Sequence, residues 1–258
     1  MAGHGRKTVC LSGVVLGAGM PAVCIPVMGG DIGLIGEAAA RAYAAKADVI
    51  ELRIDSLSPM PTADEAITAC RAVRENAPDT ALLFTLRTAR DGGAGSEDAA
   101  AYEALLSRVC RAQAADAIDC ELSVGEDAFR RIAGAAHAYG VAVVGSSHEF
   151  GEIGDMEKAA VWLKRQEALG ADICKAAVMT HTKAEAMLAA YVMARTGEEL
   201  SVPMIAIAMG PSGVITRIGA QCMGSCLTFG TAGAASAPGQ IDAKALRSVL
   251  EIVCAAQA

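Results

Sequence analysis

The stretch Ala171-Asp172-Ile173-Cys174-Lys175-Ala176-Ala177-Val178-Met179 decides how this chain is read. Its charged members aside, it is a continuous apolar run. That is the pattern of a strand covered on both faces, which belongs to a parallel sheet layered with helices. Lys175 is the costly residue, because an ammonium in such a strand loses its hydration. Two readings stand. The side chain either snorkels from a strand end or pairs with Asp172, or burial keeps it a neutral amine able to attack a carbonyl and form a Schiff base.

Similar runs occur at 22–28, 48–55, 81–87, 117–122, 141–146, 204–209 and 226–231; with 172–179 they number eight, their starts 22 to 36 residues apart. That interval holds one strand, one loop and one helix, so the strands run parallel with helical crossovers. Thr62/Glu65, Ser123/Glu126 and Thr182/Glu185 have capping-box spacing, and Gly140, Gly170 and Gly197 stand where helices would end. The expected fold is α/β, a single (β/α)8 TIM barrel occupying 1–258 as one domain. A hairpin from about 8 to 16 is expected to close its bottom. A doubly wound open sheet fits less well, since Gly17-Ala18-Gly19 precedes the first core strand instead of following it.

With 53% hydrophobic residues and a mean hydropathy of +0.37, the chain has material for a large core. Charges or glycines break every apolar run before the roughly 18 residues of a spanning helix. The net charge of −7, with both signs interspersed, argues against nucleic acid and leaves an anionic small molecule possible. The start is too broken for a secretory signal, so a cytoplasmic location is expected. Nine cysteines are an odd number, and Cys24, Cys120, Cys174 and Cys254 lie in alanine- and valine-rich segments, where they read as small hydrophobes. The histidines His4, His137, His148 and His181 lack ligand spacing, and no metal site is expected.

Reactive side chains of such a barrel gather at the C-terminal ends of its strands. There stand Glu51, Arg53 and Asp55, then Arg87, His148, Lys175, and the segment Ser236-Ala237-Pro238-Gly239-Gln240. The three charges at 51, 53 and 55 share one face by strand periodicity, either as a structural ion-pair ring or as part of a site. His148 is open to a structural reading and to that of a proton shuttle on the strand next to Lys175. Arg217 is either a solvated helix residue or a clamp for a carboxylate. The glycine-rich 224–239 segment could instead cradle a phosphate.

Taken in order, Glu51-Leu52-Arg53-Ile54-Asp55, Thr85-Leu86-Arg87, Ser146-Ser147-His148, Asp172-Ile173-Cys174-Lys175, Met209-Gly210…Arg217 and Ser236-Ala237-Pro238-Gly239-Gln240 resemble the type I 3-dehydroquinate dehydratases. The resemblance spans 22–240. It implies dehydration of 3-dehydroquinate to 3-dehydroshikimate in the shikimate pathway by a homodimer without metal or cofactor. Lys175 would form the imine, His148 would act as general acid and base, and Glu51 would orient and polarise that histidine. Arg53, Arg87 and Arg217 would meet the anionic hydroxy-keto carboxylate substrate, with Ser236 and Gln240 closing over it. Departures from the family pattern are Pro26, Ser147, Glu149 and Asp91, the last replacing a glutamate. A class I aldolase and a non-catalytic metabolite-sensing barrel are the alternatives.

Overall fold

The computed structural model describes residues 7–57, 60–152, 154–233 and 239–257. An antiparallel hairpin comes first, β1 (Val9–Leu11) and β2 (Val14–Leu16), turned at Ser12 and Gly13, which both have positive φ. There follow β3 (Ala22–Val27), α1 (Ile32–Ala44), β4 (Val49–Arg53), α2 (Ala63–Asn76), β5 (Ala81–Thr85), α3 (Ala99–Arg111), β6 (Ala117–Glu121) and α4 (Glu126–Ala138). The second half holds β7 (Ala142–Glu149), α5 (Glu157–Ala168), β8 (Ile173–Met179), α6 (Lys183–Glu199), β9 (Met204–Met209), a short α7 (Val214–Ile218), β10 (Leu227–Thr231), β11 (Ile241–Asp242) and α8 (Ala243–Ala256).

Strands β3 to β9 pair parallel in chain order, and β10 pairs with β3. The ring closes where the Cys226 N–H donates to the Met204 carbonyl at 2.8 Å and Met204 bridges Ser225. The fold is the α/β barrel that the alternation of runs predicts.

Two apolar layers hold it. One lies between sheet and helices, with Ile50, Leu82, Phe84, Leu106, Phe129 and Leu163 buried in it. The other fills the lower barrel with Val49, Leu83, Val144, Ile173 and Ile205, sealed by Leu11 and Leu16 of the hairpin. The lower rim is tied by a repeated device. Asp48, Asp116 and Asp172 each stand just before a strand and accept the backbone N–H of Val23, Leu82 and Val143 on the preceding one, at 2.7, 2.7 and 2.8 Å.

Helix ends follow the sequence in part. Thr62 and Glu65 form the full capping box, and the Thr182 hydroxyl accepts from the Glu185 N–H. The Ser123/Glu126 box does not form: Gly125 is the cap of α4, and the Ser123 hydroxyl donates to Glu121 instead. Gly140 and Gly170 end helices at positive φ, whereas Gly197 lies inside α6, where a Cβ would come within 2.8 Å of Met204. Close packing on β9 is the reason for that glycine. Six of the nine cysteines are buried, all nine as free thiols.

Candidate active site

A cavity of about 330 Å³ opens at the C-terminal ends of the strands, lined among others by Glu51, Arg53, Arg87, His148, Lys175, Arg217 and Gln240. One end of the barrel therefore collects the polar side chains that the strands carry past the apolar layer. Of the residues expected in the site, Ser236 alone lies outside the described residues, as does the 234–238 part of the glycine-rich segment.

Lys175 points inward from β8, buried to 3% exposure. Its Nζ donates to Glu51 Oε1 at 3.4 Å and to Asp119 Oδ2 at 3.2 Å, and lies 4.9 Å from the centroid of the Phe229 ring. The pairing with Asp172 that the sequence allowed does not occur, because that carboxylate caps the Val143 N–H and contacts His137 at the opposite rim. The strand is apolar along its length, but the tip of this side chain ends among charges.

Asp119 is fully buried and holds that arrangement together. It accepts from Lys175, from Arg87 Nη2 at 2.7 Å and from the Ser146 hydroxyl at 2.5 Å. Burial raises its carboxyl, but Arg87 and Lys175 outweigh the cost and hold it far below its usual range. Glu121, two residues on, accepts from Arg87 Nη1 at 2.8 Å and from the Thr88 N–H and hydroxyl. There burial wins over the Arg87 charge and the carboxyl is raised. In the sequence Asp119 and Glu121 read only as part of the apolar run at 117–122. Their spacing of two inside a strand was the available signal, since it directs both side chains to the same face.

Arg87 thus has its planar fork taken up by two buried carboxylates while one edge lines the cavity. Replacing it with methionine is expected to destabilise the fold by about 3–5 kcal/mol, because two carboxylates lose their shared cation in a buried site. Urea unfolding of the variant beside the parent chain measures it; a loss under about 1 kcal/mol would contradict this account.

His148 lies on β7, which runs on to Glu149, so the histidine belongs to the strand and not to a loop after it. Its Nδ1 is 3.0 Å from Asp91 Oδ2. The expected partner, Glu51, is elsewhere: it faces Lys175 and accepts from Thr85 Oγ1 at 3.1 Å. Position explains the correction. Glu51 sits within β4, across the barrel floor, whereas Asp91 rises on the loop after β5, whose Gly92 at φ +82 admits the Phe150 ring where a side chain would clash. Burial, then the Arg87 charge, pushes the imidazole down to about 4 against the opposing bond from Asp91, so it is neutral at pH 7. Glu51 is raised by burial but brought below its usual range by Lys175, Arg53 and Arg87.

Arg53 grips Asp55 with two hydrogen bonds of 2.9 and 2.8 Å. Asp55 lies in the 3-10 turn Ile54–Ser56 past the strand end and also accepts from the N–H groups of Arg87 and Ala94. The trio at 51, 53 and 55 is therefore split, one ion pair apart from Glu51. Arg217, in α7, is 3% exposed, which rules out the solvated reading; burial lowers it to about 10, still a cation at neutral pH.

A parallel barrel whose upper rim holds a buried lysine, a histidine–carboxylate pair and buried arginines over a closed apolar floor is the build of a barrel enzyme that works on a small molecule. The type I 3-dehydroquinase family model matches residues 23–256. A 3-dehydroquinate dehydratase of Salmonella paratyphi B is 36% identical over 248 residues, 96% of this chain and 98% of that one. The type I 3-dehydroquinate dehydratase of Clostridium difficile, solved with covalently modified comenic acid, superposes with a TM-score of 0.93 at 30% identity, covering 97% of this chain and 99% of that one. That of Geobacillus kaustophilus gives 0.91 at 29% identity, covering 96% of each chain. The chain belongs to the type I 3-dehydroquinase family. It is accordingly a lyase with 3-dehydroquinate dehydratase activity in the shikimate pathway, which sets the aldolase and sensor readings aside. No helix of the described residues is long and apolar enough to cross a membrane.

Proposed function

We propose that this enzyme converts 3-dehydroquinate to 3-dehydroshikimate through an imine on Lys175. The observation that carries the reading is the place of Nζ: at the floor of the cavity, between Glu51 and Asp119, with His148 on the adjacent strand. Nζ gives a proton to Nε2 of His148 and attacks the C3 ketone, the ketone oxygen leaves as water with that proton and a second one from Nζ, and the protonated imine withdraws electrons from C2. Nε2 of His148 then takes a C2 proton and returns it to the C1 hydroxyl, which departs as water; hydrolysis of the imine frees product and lysine. The neutral imidazole, fixed through Nδ1 by Asp91, leaves Nε2 for these transfers.

Glu51 acts on the ammonium and the imine as a counter-charge, Arg217 holds the substrate carboxylate, and Arg53, Arg87, Ser236 and Gln240 complete the pocket. The enzyme works as a homodimer of single-barrel chains. In support, Val161 on α5 and Leu188 and Tyr191 on α6 are exposed apolar side chains on neighbouring helices, a face that a second copy can cover.

Borohydride reduction during turnover, followed by peptide mapping, tests the chemistry. A substrate-derived adduct on Lys175 is the expected result. Unmodified Lys175 in an enzyme that is turning over would refute the imine.

A further inference from the structure

Gln166, in the last turn of α5, is completely buried in a layer otherwise filled by apolar side chains such as Ala159, Leu163 and Phe129. A primary amide is costly there unless each polar atom finds a partner. It finds three. Oε1 accepts the backbone N–H of Lys175 at 2.9 Å, and Nε2 donates to the Lys175 carbonyl at 3.0 Å and to the Ser147 hydroxyl at 3.1 Å. Only one orientation of the amide satisfies both peptide groups, so its setting follows from the bonds.

The amide behaves as a piece of neighbouring strand, taking both peptide groups of the single residue from which the nucleophile springs. Space for it is made by Gly145 on β7, where a Cβ would lie 2.9 Å from that of Gln166. The third bond reaches Ser147, the residue before His148. One side chain outside the pocket is therefore bonded to the backbone of Lys175 and to the strand that carries the histidine. Ordinary packing of α5 on the sheet requires none of this, and leucine or methionine would serve it.

We infer that Gln166 is a positioning residue for the reaction: it fixes the base of the Lys175 side chain and its register against the His148 strand while Nζ passes from ion pair to imine and back. This rests on the reading of Lys175 as the imine-forming residue. A displacement of about 1 Å in such a group can cost on the order of 100-fold in rate.

The test compares the parent enzyme with Gln166→Met, Gln166→Glu and Ser147→Ala, each characterised for kcat, KM and rate of borohydride-trapped adduct in a single turnover. Gln166→Met, which fills the space but makes none of the three bonds, is expected to lower kcat and the trapping rate together by about 10- to 100-fold. KM should stay within about threefold. Gln166→Glu, whose buried carboxyl is protonated and can both accept and donate, should recover part of the loss. A purely structural role predicts a lower Tm with unchanged kcat per folded molecule, and that result overturns the proposal. Should Gln166→Met not fold, Ser147→Ala removes only the link to the histidine strand; reduced kcat at unchanged KM supports the proposal, and parent kcat rejects it. An adduct on Lys175 of the parent alongside normal Gln166→Met kinetics defeats the positioning role alone. No adduct in the parent defeats the imine reading and this one with it.

Discussion

Lys175→Ala is expected to reduce turnover by about 10⁵-fold or more and to leave no borohydride adduct on the protein. The magnitude follows from loss of the covalent path itself, which the surviving groups cannot replace, as when a nucleophile is deleted from other covalent enzymes. No second lysine lines the described cavity, so no neighbouring amine can substitute. The same change acts on stability. Asp119 keeps Arg87 and Ser146, but Glu51 keeps only its bond from Thr85 and the more distant arginine charges. Its carboxyl should then rise, since burial is the largest influence on it and Lys175 the largest opposing one.

A carboxyl raised above its unfolded value binds more protons in the folded state at intermediate pH, so the variant should lose stability as pH rises through that raised value. Protonation relieves the stranded charge, and the loss at acidic pH should stay below the roughly 3–5 kcal/mol of an uncompensated buried ion. Turnover by kcat and urea midpoints at several pH values measure both effects. Retention of more than about 1% of parent kcat would mean that Lys175 is not the nucleophile.

His148→Ala should lower kcat by about 10²- to 10⁴-fold, the usual worth of one general acid–base group. In the parent, the imidazole must be neutral to accept a proton. With its value near 4, kcat/KM should hold level from neutral pH down to about 5 and fall below that. Stability follows the same group. Between the ordinary 6.5 and about 4 the unfolded chain takes up a proton that the folded chain refuses, so the contribution is whole above 6.5 and is lost as pH falls through this window. It amounts to about 3 kcal/mol for a buried imidazole shifted this far. His148→Ala should flatten stability across the upper part of the window. What remains at lower pH comes from Glu51, Asp55, Asp91 and Asp119, whose lowered carboxyls act with the same sign, offset in part by Glu121, whose raised carboxyl acts with the opposite one. A parent enzyme whose stability falls no more between pH 6.5 and 4.5 than that of His148→Ala would contradict the buried neutral histidine.

The barrel was legible in the chain because its signals are local. Apolar runs of strand length recur at the interval of one βα unit, Thr62 and Glu65 cap a helix through neighbours three residues apart, and Ser12-Gly13 turns a hairpin within itself. Lys175 and His148 were legible as residues out of keeping with their strands. Parallel order in a barrel puts those strands side by side, and they are paired.

What the chain could not reveal was which charge meets which. Asp172 is adjacent to β8 and Glu51 shares a motif with Arg53 and Asp55, yet the lysine bonds Asp119, 56 residues away, and Glu51, 124 residues away. The histidine takes Asp91, 57 residues distant, and Gln166 reads in sequence as an ordinary position on a helix. Sequence patterning alone determined where the strands run and which face most of their side chains take, because periodicity is a property of neighbouring residues, whereas the strand ends at Asp55 and His148 fell differently. Closure of the barrel decided the partners, since strands of different index bring their polar ends to one axis only in three dimensions, and burial there makes every pairing a matter of several kcal/mol.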